Sequence, residues 1–131
     1  MPDSERSREL ATGWIQAWIR MDMDWLRRHL AKDFVHVSPF GRLEGRDHYL
    51  ATVEPLARKS VNELVIRDVI AADSRAAIWF ENRTPGGVIP SCDWVHVGND
   101  EITEIRSFYD STPLRQVLSS EDQERLRDEP Y

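Results

Sequence analysis

The hydrophobic period of the chain changes near residue 60, and this change limits which folds the sequence can adopt. Before it, apolar residues recur at spacings of three and four, which predicts a helix with one buried face. That face carries Leu10, Trp14, Ala17, Trp18 and Met21. After residue 60, four segments rich in β-branched and aromatic residues predict strands. Helices followed by consecutive strands predict an α+β domain, with a curved antiparallel sheet wrapped on the helices.

The helical part is predicted to contain three helices and one strand. The first helix begins after a cap at Asp3 or Ser4, and the second spans Trp25–Ala31. A strand follows over Phe34–Ser38, stopped by Pro39 and Gly41. The third helix starts near residue 45, and Pro55 is expected to kink or shorten it.

The remaining segments predict four strands and a short closing helix. The strands span Leu64–Ala71, Ala76–Thr84, Ile89–Val97 and Ile102–Tyr109, and the closing helix lies within Asp110–Leu118. The last dozen residues are too polar to be core. We therefore expect a single domain over residues 8–118, with polar terminal extensions at 1–7 and 119–131.

Composition narrows the class of protein. A chain of 131 residues that is 40% hydrophobic forms one domain and is not disordered. A net charge of −6 argues against a nucleic-acid partner. No apolar run approaches the ~20 residues that span a membrane, and the start lacks the regions of a signal peptide. With Cys92 alone, no internal disulfide forms, so we expect a soluble protein of the cytoplasm. No histidine pair or Cys/His cluster has metal-ligand spacing, and we expect neither a metal nor another cofactor.

Two stretches carry a resemblance to a known superfamily. The first half contains Trp14-Ile-Gln-Ala-Trp18 and Ser38-Pro-Phe-Gly41, and the end contains Asp100-Glu-Ile-Thr-Glu-Ile-Arg-Ser-Phe-Tyr-Asp110. Together they resemble the nuclear transport factor 2-like superfamily, and most closely its SnoaL-like branch. That branch has polyketide cyclases, ketosteroid isomerase and limonene-epoxide hydrolase as enzyme relatives. The resemblance implies a cone-shaped curved sheet wrapped on three N-terminal helices, also described as a cystatin-like or SnoaL-like α+β barrel. It also implies a pocket between the helices and the concave face of the sheet. Members of the superfamily are often homodimers that associate through the other face of the sheet.

Strand alternation, aligned by these two stretches, predicts which side chains enter the pocket. The polar candidates are His36, Ser38, Asp93, Ser107 and Tyr109. The apolar wall is expected to include Trp14, Trp18, Phe40 and Phe80. A mostly apolar lining with a few convergent polar groups suits a hydrophobic small-molecule ligand.

The departures from the relatives are informative. Ser38 stands where ketosteroid isomerase has its carboxylate base, and Trp14 stands at the position of its helix-one tyrosine. Ser107 replaces the acid that cyclases and epoxide hydrolases carry in the last strand. Asp93 matches the second, protonated acid of ketosteroid isomerase. No complete catalytic set from one relative is therefore present.

Asp93 and His36 are the predicted acid–base pair. Desolvation in a dry cavity would raise the pKa of Asp93 and make it a general acid. If His36 lies within hydrogen-bonding reach, an ion pair forms and His36 holds the proton. The structural alternatives are an Asp93 that points outward or binds a tryptophan N–H, and a His36 that is a satisfied core residue.

Two functions follow. The first is a cofactor-independent enzyme of cyclase, isomerase or dehydratase type that uses acid–base chemistry on a hydrophobic ligand. The second is a non-catalytic small-molecule-binding module of the same fold. In either case we expect a homodimer through the convex sheet face, including Trp79 and Trp94, because aromatic area there is unburied in a monomer.

Overall fold

The computed structural model describes residues 3–60 and 63–128. The helices are α1 (Ser4–Arg20), α2 (Met23–His29), α3 (Arg46–Ser60), α4 (Thr112–Val117) and α5 (Ser120–Arg125). The strands are β1 (Leu30–Ser38), β2 (Gly41–Glu44), β3 (Glu63–Ala72), β4 (Arg75–Thr84), β5 (Gly87–Gly98) and β6 (Glu101–Tyr109). Within the described residues, no helix has the length and apolarity needed to cross a membrane.

The strands form one curved, open sheet in the order β2-β1-β6-β5-β4-β3. Neighbouring strands from β3 to β6 are antiparallel, as are β1 and β2. The pair β1 and β6 is parallel, with His36 opposite Ile105, so the sheet is mixed in this one place. The predicted α+β class, with a curved sheet packed on three N-terminal helices, is confirmed.

The helices cover the concave face because their apolar residues lie along one side. In α1, Leu10, Trp14 and Trp18 are buried, and the N-terminus is capped where Asp3 accepts a hydrogen bond from the Arg6 amide. Gly13 lies on another side of α1, where an added Cβ would overlap the ring of Trp25. The glycine therefore permits α2 to pack closely against α1.

Three local predictions are wrong in detail. The prediction of an isolated strand missed β2, because Pro39 and Phe40 form a turn that reverses the chain into a hairpin. Helix α2 ends at His29 because Leu30 is extended and fully buried as the first residue of β1. Of the two effects predicted for Pro55, shortening does not occur, because α3 continues to Ser60, and the kink stays a prediction. The buried Leu56 and Ala57 hold the helix together beyond the missing hydrogen bond.

The C-terminal segment is not the purely polar extension that its composition predicts. Leu126 packs against Phe40 and Leu118 in a small apolar cluster at one end of the domain. Asp122 is buried and its carboxylate lies 2.9 Å from the Lys59 ammonium on α3. The segment after β6 therefore contacts the domain through both apolar and charged groups.

Candidate functional site

A cavity of about 160 Å³ lies between the helices and the concave face of the sheet. The lining includes all nine predicted residues: Trp14, Trp18, His36, Ser38, Phe40, Phe80, Asp93, Ser107 and Tyr109. The structure thus places these nine side chains around one cavity, while their roles as site residues stay predictions. Alternation groups the residues of each strand because side chains repeat every two residues.

Sheet register brings the polar groups together. Asp93 on β5 lies opposite Ser107 on β6, and Ile78 flanks Asp93 on the other side. The next row along the sheet contains Phe80, Ser91 and Tyr109. The parallel pairing of β1 with β6 then places His36 on the same face as Ser107.

The carboxyl group of Asp93 is buried and only half satisfied. The residue is 3% exposed, and its Oδ2 accepts a hydrogen bond of 2.8 Å from the Trp14 indole N–H. Its Oδ1 is buried and has no hydrogen-bond partner among the described residues. Burial raises the pKa of Asp93 to about 6, against the opposing effects of the Trp14 indole N–H and of the Ser107 hydroxyl nearby. One oxygen thus fits the structural alternative, a bond to a tryptophan N–H, whereas the other is available to a ligand.

Of the two arrangements that the sequence leaves open for Asp93 and His36, the ion pair is not formed, because His36 hydrogen-bonds Ser107 instead. Its Nε2 lies 3.0 Å from the Ser107 hydroxyl oxygen, and its ring lies 4.9 Å from that of Tyr49. Burial lowers the pKa of His36 to about 4, so the imidazole is neutral at pH 7. Desolvation is therefore the largest cause of the pKa shift of both Asp93 and His36. The raised pKa of Asp93 has the direction and the cause that the sequence analysis predicts, and its role as an acid or a base stays a prediction.

The hydroxyl groups around the cavity stay protonated. Burial raises the pKa of Tyr49 and of Tyr109. The Ser38 hydroxyl accepts a hydrogen bond from the Phe40 amide, and the Ser91 hydroxyl donates one to the Ile89 carbonyl. These groups can donate or accept hydrogen bonds, but none of them carries charge at neutral pH.

Sequence reasoning missed three polar residues of the cavity, Tyr49, Ser91 and Asn82, of which Asn82 has an unpaired acceptor. Asn82 lines the cavity, is 7% exposed and has a buried Oδ1 without a partner among the described residues. The signal was present, because Asn82 shares the inward parity of Phe80 on β4. Asn82 was not chosen because no motif of the relatives has a functional residue at the matching position.

Outside the cavity, two observations bear on the predictions. Among residues 3–60 and 63–128, no group of three His, Cys, Asp or Glu side chains is arranged to hold a metal ion. On the convex face, Trp79 is 47% exposed and Trp94 is 37% exposed. The homodimer predicted through these residues stays a prediction.

Comparison with known proteins gives a family and a fold. The family model of the SnoaL-like domain matches residues 11–105. A protein of solved structure from Kribbella flavida DSM 17836 is 26% identical, with a TM-score of 0.78, over 92% of this chain and 99% of that chain. A provisionally assigned SnoaL-like polyketide cyclase from Jannaschia sp. CCS1 is 14% identical, with a TM-score of 0.75, over 92% of this chain and 96% of that chain.

A third solved structure extends the comparison. A provisionally assigned ketosteroid isomerase from Kribbella flavida DSM 17836 is 17% identical, with a TM-score of 0.73, over 92% of this chain and 96% of that chain. At 14% and 17% identity, the polyketide cyclase and the ketosteroid isomerase share the fold alone with this chain. No curated protein matches the sequence significantly.

Proposed function

Because this chain belongs to the SnoaL-like domain family, we propose that its cavity is an active site in which Asp93 exchanges a proton with a small, mostly apolar molecule. The observation that carries the proposal is the unpaired Oδ1 of a carboxyl group that is 3% exposed. Burying a carboxyl among apolar groups is unfavourable unless a partner or a reaction uses it. Trp14 supplies a partner for one oxygen only.

The protonation state favours base catalysis. At pH 7 most Asp93 side chains are ionised, since their pKa is about 6. A carboxylate with this pKa is more basic than a free aspartate, and catalytic bases work best when their pKa lies near the operating pH. Asp93 can then return the proton as an acid in a later step.

The proposed step is abstraction of a proton from carbon next to a carbonyl group. The proton moves to Asp93, the C–H electron pair forms a carbon–carbon double bond, and the carbonyl oxygen becomes an enolate oxygen. Uncharged groups nearby, namely the Ser107 and Tyr109 hydroxyls and neutral His36, are hydrogen-bond donors for that oxygen. Return of the proton to a different atom gives isomerisation. Ring closure follows if the enolate carbon attacks a second carbonyl carbon of the same molecule, whose C–O π bond breaks and whose oxygen takes the proton from Asp93.

The size of the cavity limits the ligand. A volume of about 160 Å³ is close to that of an engineered cavity of ~150 Å³ that holds one benzene molecule. The lining adds apolar walls from Trp14, Trp18 and Phe80. We propose a ligand with a single ring and a short substituent rather than a molecule of several fused rings.

A specific observation supports the non-catalytic binding module as the second candidate. The Trp14 hydrogen bond holds Asp93 as it would hold a purely structural acid. A binding protein should tolerate Asp93→Asn, because asparagine keeps an oxygen that accepts from Trp14. An enzyme should not tolerate it, because an amide is not a base.

The test is solvent-deuterium incorporation next to the carbonyl of one-ring ketones, cyclohexanone and acetophenone, followed by NMR. We expect exchange by the wild type and a loss on the order of 10²–10⁴-fold in Asp93→Asn, with the ketone still bound. The matched control is Glu104→Gln on the convex face, the same chemical change away from the cavity, which should leave exchange unchanged. Binding without exchange in the wild type would favour the binding module.

A further inference from the structure

We infer that Asn82 determines ligand specificity by accepting a hydrogen bond from a hydroxyl or N–H group at the ligand end remote from Asp93. The inference deepens the proposed function, on which it rests for the orientation of the ligand. It names a substrate class, an elongated apolar molecule with a hydrogen-bond donor at its remote end.

The first observation is that the Asn82 Oδ1 has no hydrogen-bond partner, a state that it shares only with Asp93 Oδ1 among the buried side-chain oxygens of the described lining. The hydroxyls of Ser38, Ser91 and Ser107 all have hydrogen-bond partners within the protein. Among cavity-lining side chains of the described residues, Asp93 Oδ1 and Asn82 Oδ1 are the buried oxygens without one. A buried acceptor without a donor destabilises the protein, and a ligand that supplies the donor removes that penalty.

The second observation is that the surroundings of Asn82 are apolar. Its neighbours across the sheet are Leu64 on β3 and Ile89 on β5. Both also line the cavity. Neither side chain can donate a hydrogen bond to the amide, so the donor has to come from whatever occupies the cavity.

The third observation is the separation of the two acceptors along the sheet. Asn82 pairs with Ile89, which precedes Asp93 by four residues on β5. Four residues of strand span about 13 Å, and both side chains point to the concave face. Phe80 lies between them in register and presents an apolar ring to the cavity. One ligand that meets both oxygens is therefore elongated, with an apolar middle and polar ends.

The experiment uses matched acetophenones that differ only at the remote end. The probes are 4-ethylacetophenone, 4-(2-hydroxyethyl)acetophenone and 4-(2-methoxyethyl)acetophenone, and dissociation constants are measured by titration calorimetry. We expect the wild type to bind the hydroxyethyl probe about five- to tenfold more tightly than the ethyl probe. The methoxy probe, which carries an oxygen but no donor, should gain nothing over the ethyl probe.

Variants at position 82 locate the effect. Asn82→Leu and Asn82→Ala should each abolish the preference for the hydroxyl, and Asn82→Asp should retain it because it keeps an acceptor. Asn82→Ala tests the case in which leucine fills space that the probes need. A wild type without preference, or a preference that survives in Asn82→Leu and Asn82→Ala, would overturn the inference.

Thermal unfolding without ligand provides an independent readout. Asn82→Leu replaces an amide whose Oδ1 is unpaired with an apolar side chain of similar size between Leu64 and Ile89. Its Tm should equal or exceed that of the wild type. A clear fall in Tm would mean that the amide is satisfied in the folded protein, against the inference.

Failure of this inference can be separated from failure of the proposed function. The hydroxyl preference is an equilibrium property, so it is also measured in the Asp93→Asn variant. If ketones exchange no deuterium but the preference depends on Asn82, the role of Asn82 stands and the catalytic proposal falls. If exchange depends on Asp93 and position 82 has no effect on binding, the reverse holds.

Discussion

Proteins usually bury apolar side chains and expose charged ones, and the two faces of the central sheet depart from this rule in opposite ways. On one row of register, Asp93 and Ser107 face the cavity beside the core residue Ile78, and the carboxyl group among them is buried. On the adjoining row, Trp79 and Phe108 flank Cys92 and point outward, 47% and 51% exposed. One face thus buries a charge, and the other exposes aromatic rings.

The difference indicates that the two faces have different contacts. A buried carboxyl lowers stability, and this cost is consistent with the role in ligand chemistry that we propose for Asp93. Exposed aromatic rings add no stability in the monomer, and they gain it only where another surface covers them. We expect substitutions on the concave face to change stability and ligand chemistry, and substitutions on the convex face to change the association of protomers.

The sharpest comparison makes the same substitution on both faces. Trp14→Phe removes the donor to Asp93 Oδ2 from a residue that is 2% exposed, and we expect a loss of about 2–4 kcal/mol in the free energy of unfolding. Trp94→Phe removes a surface indole whose N–H donates to His96, and should cost under ~0.5 kcal/mol. Urea unfolding at one fixed protein concentration measures both. Equal losses would contradict the contrast between the faces.

The next prediction concerns pH and the two titratable groups of the cavity. The pKa of Asp93 is raised from 3.8 to about 6, so the folded protein binds its proton more tightly and gains stability as pH falls from about 6 to 4. The pKa of His36 is lowered from 6.5 to about 4, so stability is lost as pH falls through the same range. In the wild type the two contributions oppose each other. Single variants should therefore separate them.

Two variants measure these opposing contributions relative to the wild type. Asp93→Asn should be more stable above pH 7, by about 1–3 kcal/mol, because it removes a desolvated charge. Its advantage should disappear near pH 4, where Asp93 is protonated. His36→Gln should lose less stability than the wild type between pH 6.5 and pH 4. Urea unfolding at each pH is the measurement, and identical pH profiles for all three proteins would exclude a buried acid–base site.

The sequence predicts those features of the fold and the site that depend on residues close together in the chain. Alternation divided each strand into two faces, because a period of two needs no knowledge of the partner strands. The resemblance to the relatives' motifs then indicated that the faces with His36, Asp93 and Ser107 point inward. The hydrogen bond from Trp14 to Asp93 joins residues 79 positions apart, and only the tertiary structure shows it. The same holds for His36, which contacts Ser107 rather than Asp93.

The misses have a related physical cause. Strand β2 has four residues, too few for a periodic pattern, and it exists because β1 offers an edge to pair with. Leu126 lies in a polar segment, and its burial depends on Phe40, which is distant in sequence. Composition therefore predicts the class of a segment, but long-range packing decides whether an isolated apolar residue is buried.

The convex face gives the next prediction in order of size. If Trp79 and Trp94 lie in a homodimer interface, replacing either with alanine should raise the dimer dissociation constant at least about tenfold, equivalent to ~1.4 kcal/mol. Sedimentation equilibrium at micromolar concentration measures it. Ketone exchange per protomer should persist, since these side chains point away from the cavity. A wild type that sediments as a monomer would contradict the dimer.

The smallest expected effect comes from a charge on the convex face. Glu104→Gln breaks an ion pair in which the Arg106 guanidinium lies 2.7 Å from the carboxylate, with side chains 45% and 28% exposed for Arg106 and Glu104. Water already solvates both groups, so their attraction is weak, and we expect a loss of under ~0.5 kcal/mol that shrinks further in 1 M salt. Urea unfolding with and without salt measures it. The same acid-to-amide change in Asp93→Asn is expected to have a larger effect of opposite sign above pH 7, because desolvation rather than pairing governs that carboxyl. A loss above ~1 kcal/mol in Glu104→Gln would mean that the convex face is itself desolvated, as it would be beneath a partner subunit.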